Sequence, residues 1–133
     1  DVIQTVDSLK IAEKINNHAK ELDKVQRIFC QINIGNDPNK KGLTSNIKTT
    51  IIEISKMKNI VLEGIMTILP QNLDTTVSAN LFKKMKEMQK TLEKQLPTCT
   101  TVSMGMSQDY KLALECGSNL IRIGTEIFGP RKT

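Results

Sequence analysis

Along the whole chain, short runs in which β-branched and polar residues alternate give way to longer stretches whose apolar residues recur every three or four positions. Val2-Ile3-Gln4-Thr5-Val6 reads as a short strand. Asp7-Ser8 then offers a helix N-cap ahead of Leu9, Ala12, Ile15, Ala19 and Leu22, which fall on one helical face. Residues 27–34 form a second expected strand, with Ile28, Cys30, Ile32 and Ile34 on one side. Residues 35–39 are dense in turn formers and mark a loop. Ile47, Ile51 and Ile54 predict a second helix, and residues 60–68 a third strand that Leu69-Pro70 stops. A long helix is expected from Asp74 to the neighbourhood of Lys94, with Leu81, Met85, Met88 and Leu92 as a stripe that ordinary core packing explains. Pro97 breaks it. Residues 100–104 give a fourth strand, Ser107 caps a helix that runs to Cys116 and ends at Gly117, and residues 119–123 give a fifth strand. Gly124-Thr125 and a turn around Phe128-Gly129-Pro130 close the chain.

Strands alternating with helices build a parallel sheet with right-handed crossovers, so the fold class is α/β. No linker, low-complexity tract or second composition regime divides residues 1–133, which form one region. Two architectures fit: a small open doubly wound sheet, or part of a (β/α)8 barrel, whose full form takes roughly 250 residues. A chain that opens in mid-pattern at Asp1, without an initiator Met, has the look of a fragment.

Composition narrows the function more by exclusion than by signal. With 38% hydrophobic and 25% charged residues the chain has a globular balance. No apolar run approaches the roughly 20 residues that span a bilayer, so no membrane partner is expected. Aromatic residues make up 3% and Trp is absent, which leaves single-stranded nucleic acid without stacking platforms. The net charge of +5 permits an anionic ligand, but the lysines are scattered, and groups such as Lys40-Lys41 and Lys83-Lys84-Lys86 read as solvated faces rather than a nucleic-acid footprint. Three widely spaced cysteines (Cys30, Cys99, Cys116), no CxxC and one mid-helix histidine, His18, argue against a zinc site or a disulfide framework. Reduced thiols in the cytoplasm are expected. There is no P-loop and no GxGxxG, and His18 offers no site for a nucleophile–base pair, so no catalytic residue is assigned.

Candidate chemistry is concentrated in the last third. Ser103-Met104-Gly105-Met106-Ser107 joins a strand to a helix, and Ile121-Arg122-Ile123-Gly124-Thr125 ends the next strand. Ligands of parallel α/β sheets sit at the carboxyl ends of the strands, and barrels cradle phosphate after their last two. Ser107 would meet an anion at a helix N-terminus, while Gly124 and Thr125 would add backbone N–H donors and a hydroxyl. The plainer alternative is that Ser107 only caps its helix and Gly124 only ends a strand.

These segments carry a resemblance. Ser103–Asp109 reads SMGMS followed by Gln and an acid, and Gly117–Gly129 reads GSNLIRIGTEIFG. Leu62-Glu63-Gly64-Ile65-Met66-Thr67-Ile68, Gln31-Ile32-Asn33 with Lys41-Gly42-Leu43, and Thr5-Val6-Asp7-Ser8-Leu9 complete a series in constant order. Together they resemble the pyridoxal phosphate homeostasis proteins (the YggS/PROSC family), from end to end of the chain. The resemblance implies an alanine-racemase-like (β/α)8 barrel, of which this chain would be the C-terminal half, strands four to eight. It also implies a carrier of pyridoxal 5′-phosphate involved in its homeostasis, without catalysis of its own. Carried over, Ser107, Gly124 and Thr125 would hold the cofactor phosphate with Ser103 nearby, Arg122 would approach the pyridine nitrogen, and Met66 would line the pocket. The family's earlier part, with an FGEN-type strand, an H-x-x-G-x-LQ-x-NK segment and the Schiff-base lysine, has no counterpart here. The cofactor would then be bound through its phosphate only. Half a barrel exposes two sheet edges and its inward face, so the missing half or a second copy of the chain is an expected partner. Two other readings stay open: an enzyme of the alanine-racemase type, and a ligand-free α/β interaction module. Arg122 has its own alternative, an ion pair with Glu126.

Overall fold

Five parallel strands and four helices alternate in the computed structural model, which describes residues 1–124. The strands are β1 (Val2–Val6), β2 (Gln26–Gln31), β3 (Ile60–Met66), β4 (Thr101–Met106) and β5 (Leu120–Arg122). The helices between them are α1 (Leu9–Glu21), α2 (Ile47–Ser55), α3 (Thr75–Gln95) and α4 (Tyr110–Glu115). Ser8 caps α1, its side chain accepting from the Ile11 N–H at 3.1 Å, and Asp74 caps α3 by accepting from the Thr76 N–H.

Strand order in the sheet is the order of the sequence, β1-β2-β3-β4-β5. A doubly wound sheet reverses direction at a switch point. An unreversed order with right-handed crossovers puts every helix on one face, the winding of a barrel wall. The open doubly wound alternative is thereby excluded, and the chain is a five-stranded half-barrel.

The core fills the layer between sheet and helices. Ile28, Cys30 and Ile32, then Ile60, Leu62 and Ile65, then Val102 and Met104 face Ile51 and Ile54 of α2 and Phe82, Met85 and Leu92 of α3, all buried. On α3 the buried line runs Ser78, Phe82, Met85, Gln89 and Leu92. Leu81 and Met88 of the expected stripe are only partly buried, so the core-facing line is centred one position away from the pattern of largest apolar residues. Strand alternation sends Phe29, Gln31 and Ser103 to the opposite face. Phe29 and Met66 are nonetheless 4% and 2% exposed and stand outside the helix-facing cluster.

Curvature explains that second buried set. The Ser103 hydroxyl on β4 reaches Gln4 Oε1 on β1 at 2.8 Å. In a flat sheet those strands stand three spacings of about 4.8 Å apart, about 14 Å in all. Side chains as short as these meet only if the sheet curls toward its helix-free face.

Candidate functional site

Gly105 makes the end of β4 possible. Its φ is +107°, and a Cβ there would stand 2.7 Å from the Ala113 Cβ and 3.1 Å from the Tyr110 Cα, so α4 packs directly against strand backbone. The strand continues to Met106, and a turn over residues 107–109 leads to Asp109, which precedes α4 and accepts from the Met106 N–H through Oδ1 at 2.7 Å. This corrects the expectation for Ser107. It is not the helix cap, because α4 begins at Tyr110 and Asp109 takes the preceding position.

Ser107 instead turns toward the end of β5, where its Oγ accepts from the Gly124 N–H at 3.1 Å. The two strand ends expected to form a phosphate cradle are thus joined by an exposed neutral hydrogen bond. Gly124 is exposed, and a Cβ built on it would meet nothing within 4 Å. Thr125, an expected phosphate ligand, and Glu126, the alternative partner of Arg122, lie outside the described residues.

Arg122 is anchored twice. Its Nη1 donates to the Ser103 Oγ at 3.1 Å and its Nη2 to the Thr67 carbonyl at 2.8 Å. Thr67 is itself fixed, its hydroxyl donating to the Ile32 carbonyl at 2.6 Å and its N–H to the Ser103 carbonyl at 3.0 Å. The third nitrogen, Nε, is buried and has no partner among the described residues. Burial pulls the guanidinium below its ordinary value, and the Asp109 carboxylate pushes it back up. A buried donor without an acceptor costs about 1–3 kcal/mol, which makes Nε the orphaned polar atom of this network. A guanidinium only donates, and an unprotonated pyridine nitrogen only accepts, so the group implied by the sequence fits this donor.

Ser103 is fully buried, and its hydroxyl is used between Gln4 and Arg122, which makes it a support of Arg122 and not a direct ligand of phosphate. Met66 pairs with Gln31 and Ser103 in the sheet, at the level of the same network, but at 2% exposure it is covered. Gln4 and Thr67 are the members that pattern did not single out. Behind the 107–109 turn a cavity of about 380 Å³ opens toward Thr75 and Ser78 of α3, with Ser107, Asp109 and Lys111 on its wall. Arg122, Met66 and Gly124 do not line it. Among the described residues no cluster of metal-ligating side chains occurs and no helix is long and apolar enough to cross a membrane.

Residues 1–132 match the family model for the alanine racemase N-terminal domain. The expectation of a C-terminal portion is overturned by that match, which is to the N-terminal domain. A pyridoxal phosphate homeostasis protein of Vibrio alginolyticus is 36% identical over 132 residues, covering 98% of this chain and 57% of that protein. The chain thus spans a little over half the length of the curated relatives it matches. Among solved structures, PipY of Synechococcus elongatus without PLP superposes with a TM-score of 0.89 at 32% identity, over 97% of this chain and 61% of that one. The same protein with PLP bound gives 0.86 at 30% identity, with the same coverage. Alanine racemase of Clostridium difficile shares the fold, with a TM-score of 0.78 at 23% identity over 96% of this chain and 36% of that one.

Proposed function

Because the chain belongs to the alanine racemase N-terminal domain family, we propose that it binds pyridoxal 5′-phosphate across the carboxyl ends of β4 and β5 and serves the homeostasis of that cofactor. The observation that carries this reading is Arg122, held at Nη1 and Nη2 while its buried Nε lacks an acceptor. The relatives support it, since PipY has been solved with PLP bound and the curated relatives are pyridoxal phosphate homeostasis proteins.

In this reading the phosphate would be held by Ser107 and Gly124, with Thr125, the next residue in sequence, as a further ligand. Ser107 and the Gly124 N–H, now joined by one exposed neutral hydrogen bond, would hold that phosphate through charge-assisted bonds, roughly twice as strong. Arg122 Nε would donate to the pyridine nitrogen, which must be unprotonated to accept it. Met66, in register with Ser103 on the neighbouring strand, would line the pocket. When bound, pyridoxal phosphate supplies an aldehyde and an electron-accepting ring. An arginine donor leaves that ring a weaker electron sink than a protonating carboxylate does, which suits carriage over carbanion chemistry. No lysine stands on any described strand, so binding here rests on phosphate and ring contacts. Three free cysteines, Cys30 and Cys99 of them buried, suit a reducing compartment such as the cytoplasm. We read the five strands as consecutive members of an eight-stranded barrel. Among the described residues the edges of β1 and β5 have no second neighbour, and a second copy of the chain or further barrel strands would pair there.

Calorimetric titration with pyridoxal 5′-phosphate tests the site. Wild type is expected to give saturable binding, and Arg122→Gln to weaken it at least about tenfold, the loss of one hydrogen bond to a charged group. Equal binding by the two proteins overturns the assignment.

A further inference from the structure

Gln4 lies on β1, 99 residues from the Ser103 whose hydroxyl it accepts at 2.8 Å. That bond crosses the concave face of the sheet, where the neighbouring Phe29 and Met66 are apolar and buried. Polar side chains in such surroundings are costly unless their hydrogen bonds are made, so a Gln–Ser pair there calls for a task. Arg122 supplies it. Its Nη1 can only donate, so Ser103 must meet it with a lone pair. The single proton of the Ser103 hydroxyl must then point elsewhere, and Gln4 Oε1 receives it.

We propose that Gln4 is a positioning residue for the cofactor site: by accepting the Ser103 proton it fixes the lone pair on which Arg122 Nη1 rests, and so aims the free Nε. The inference rests on the cofactor reading above for what Nε meets, but the relay itself runs through this chain alone. Thr67 holds the other end of the guanidinium through a backbone carbonyl, which no side-chain change nearby can redirect. The Gln4–Ser103 arm is the one that side chains control.

Arginine-labelled NMR reads the relay without the cofactor. The chain has three arginines, Arg27, Arg122 and Arg131, so the signals are assigned by replacing each with Lys. In wild type the Nη protons of Arg122 are expected as separate, slowly rotating signals. Gln4→Met, which keeps length and removes the acceptor, is expected to merge them. Gln4→Glu, which restores an acceptor, is expected to keep them separate. Affinity for pyridoxal phosphate should fall about three- to tenfold in Gln4→Met, the range of one indirect hydrogen bond, and be rescued in Gln4→Glu. Unchanged Arg122 signals in a folded Gln4→Met overturn the proposal. Should that variant not fold, Gln4→Glu set against Ser103→Ala decides: separate signals in the first and merged ones in the second support the relay, and identical signals overturn it. A wild type that shows the arginine signature but binds no cofactor overturns the functional reading and leaves the relay standing.

Discussion

Cys30 and Cys99 sit in the layer between sheet and helices, and that layer sets their chemistry. Burial pushes the Cys30 thiol up to about 12, with Cys99 adding to it, and pushes Cys99 up to about 11, with Glu93 adding. Both are acids that hold their proton more tightly in the folded chain than at the ordinary value of 9.0. Their contribution to stability is therefore complete below about pH 9 and is lost as the pH climbs toward 11 and 12. Denaturant titrations across that alkaline window are expected to show stability falling, with a shallower fall in Cys30→Val. Parallel slopes for the two proteins would contradict the burial. At the same scale, the sequence made Ser103, Ser107, Arg122 and Gly124 legible because each lies in a contiguous motif. Thr67 lies in the Leu62–Ile68 motif, but its role runs through a backbone carbonyl that no residue type marks, and Gln4 lies in no site motif at all. Gln4 reads as the polar member of an alternating strand, and its role depends on β1 curling over β4, which no local pattern encodes.

Elements were read well where their signals are local. Ser8 and Asp74 cap the helices as their residue types dictate, and Pro97 lies just beyond the end of α3. The start of α4 differs from the local signal because Ser107 has the right chemistry for a cap, whereas the choice between Ser107 and Asp109 depends on how far β4 runs. Gly105 decides that. Its left-handed φ and the 2.7 Å approach to Ala113 let the strand end and the helix return in three residues. Gly105→Ala is expected to cost about 1–3 kcal/mol, from a strained φ and an overpacked contact. Urea unfolding measures it, and a midpoint equal to wild type would show that α4 does not depend on this approach. Ser118 and Asn119 complete the return. The Ser118 hydroxyl donates to the Met104 carbonyl at 2.6 Å and Asn119 Oδ1 accepts from the Val102 N–H at 2.7 Å, so part of the closing motif is architecture and not ligand.

At the scale of the whole molecule, a repeat of strand and helix left two windings open, and only the sequential strand order separates them. The curl that brings β1 to β4 converts five strands into a concave wall, with Arg122 at one end and helices outside. Lysines stay on helices and loops: Lys10, Lys41, Lys58 and Lys111 are all exposed. Exposed amines on helices and loops meet the cofactor aldehyde only by diffusive encounter, without the orientation that an amine beside an anchored phosphate would have. Borohydride reduction at low cofactor excess, followed by peptide mass spectrometry, is therefore expected to find faint label spread over several surface lysines. One lysine carrying near-stoichiometric label would show a covalent cofactor site that the described strands do not contain. The most direct measurement is the crystal structure of this chain with pyridoxal 5′-phosphate. The account predicts the phosphate within hydrogen-bond distance of Ser107 and Gly124 and the ring nitrogen on Arg122 Nε. A cofactor lodged in the cavity beside Ser78 and Lys111, or a β4–β5 corner closed by side chains with Arg122 Nε still unpaired, would contradict it.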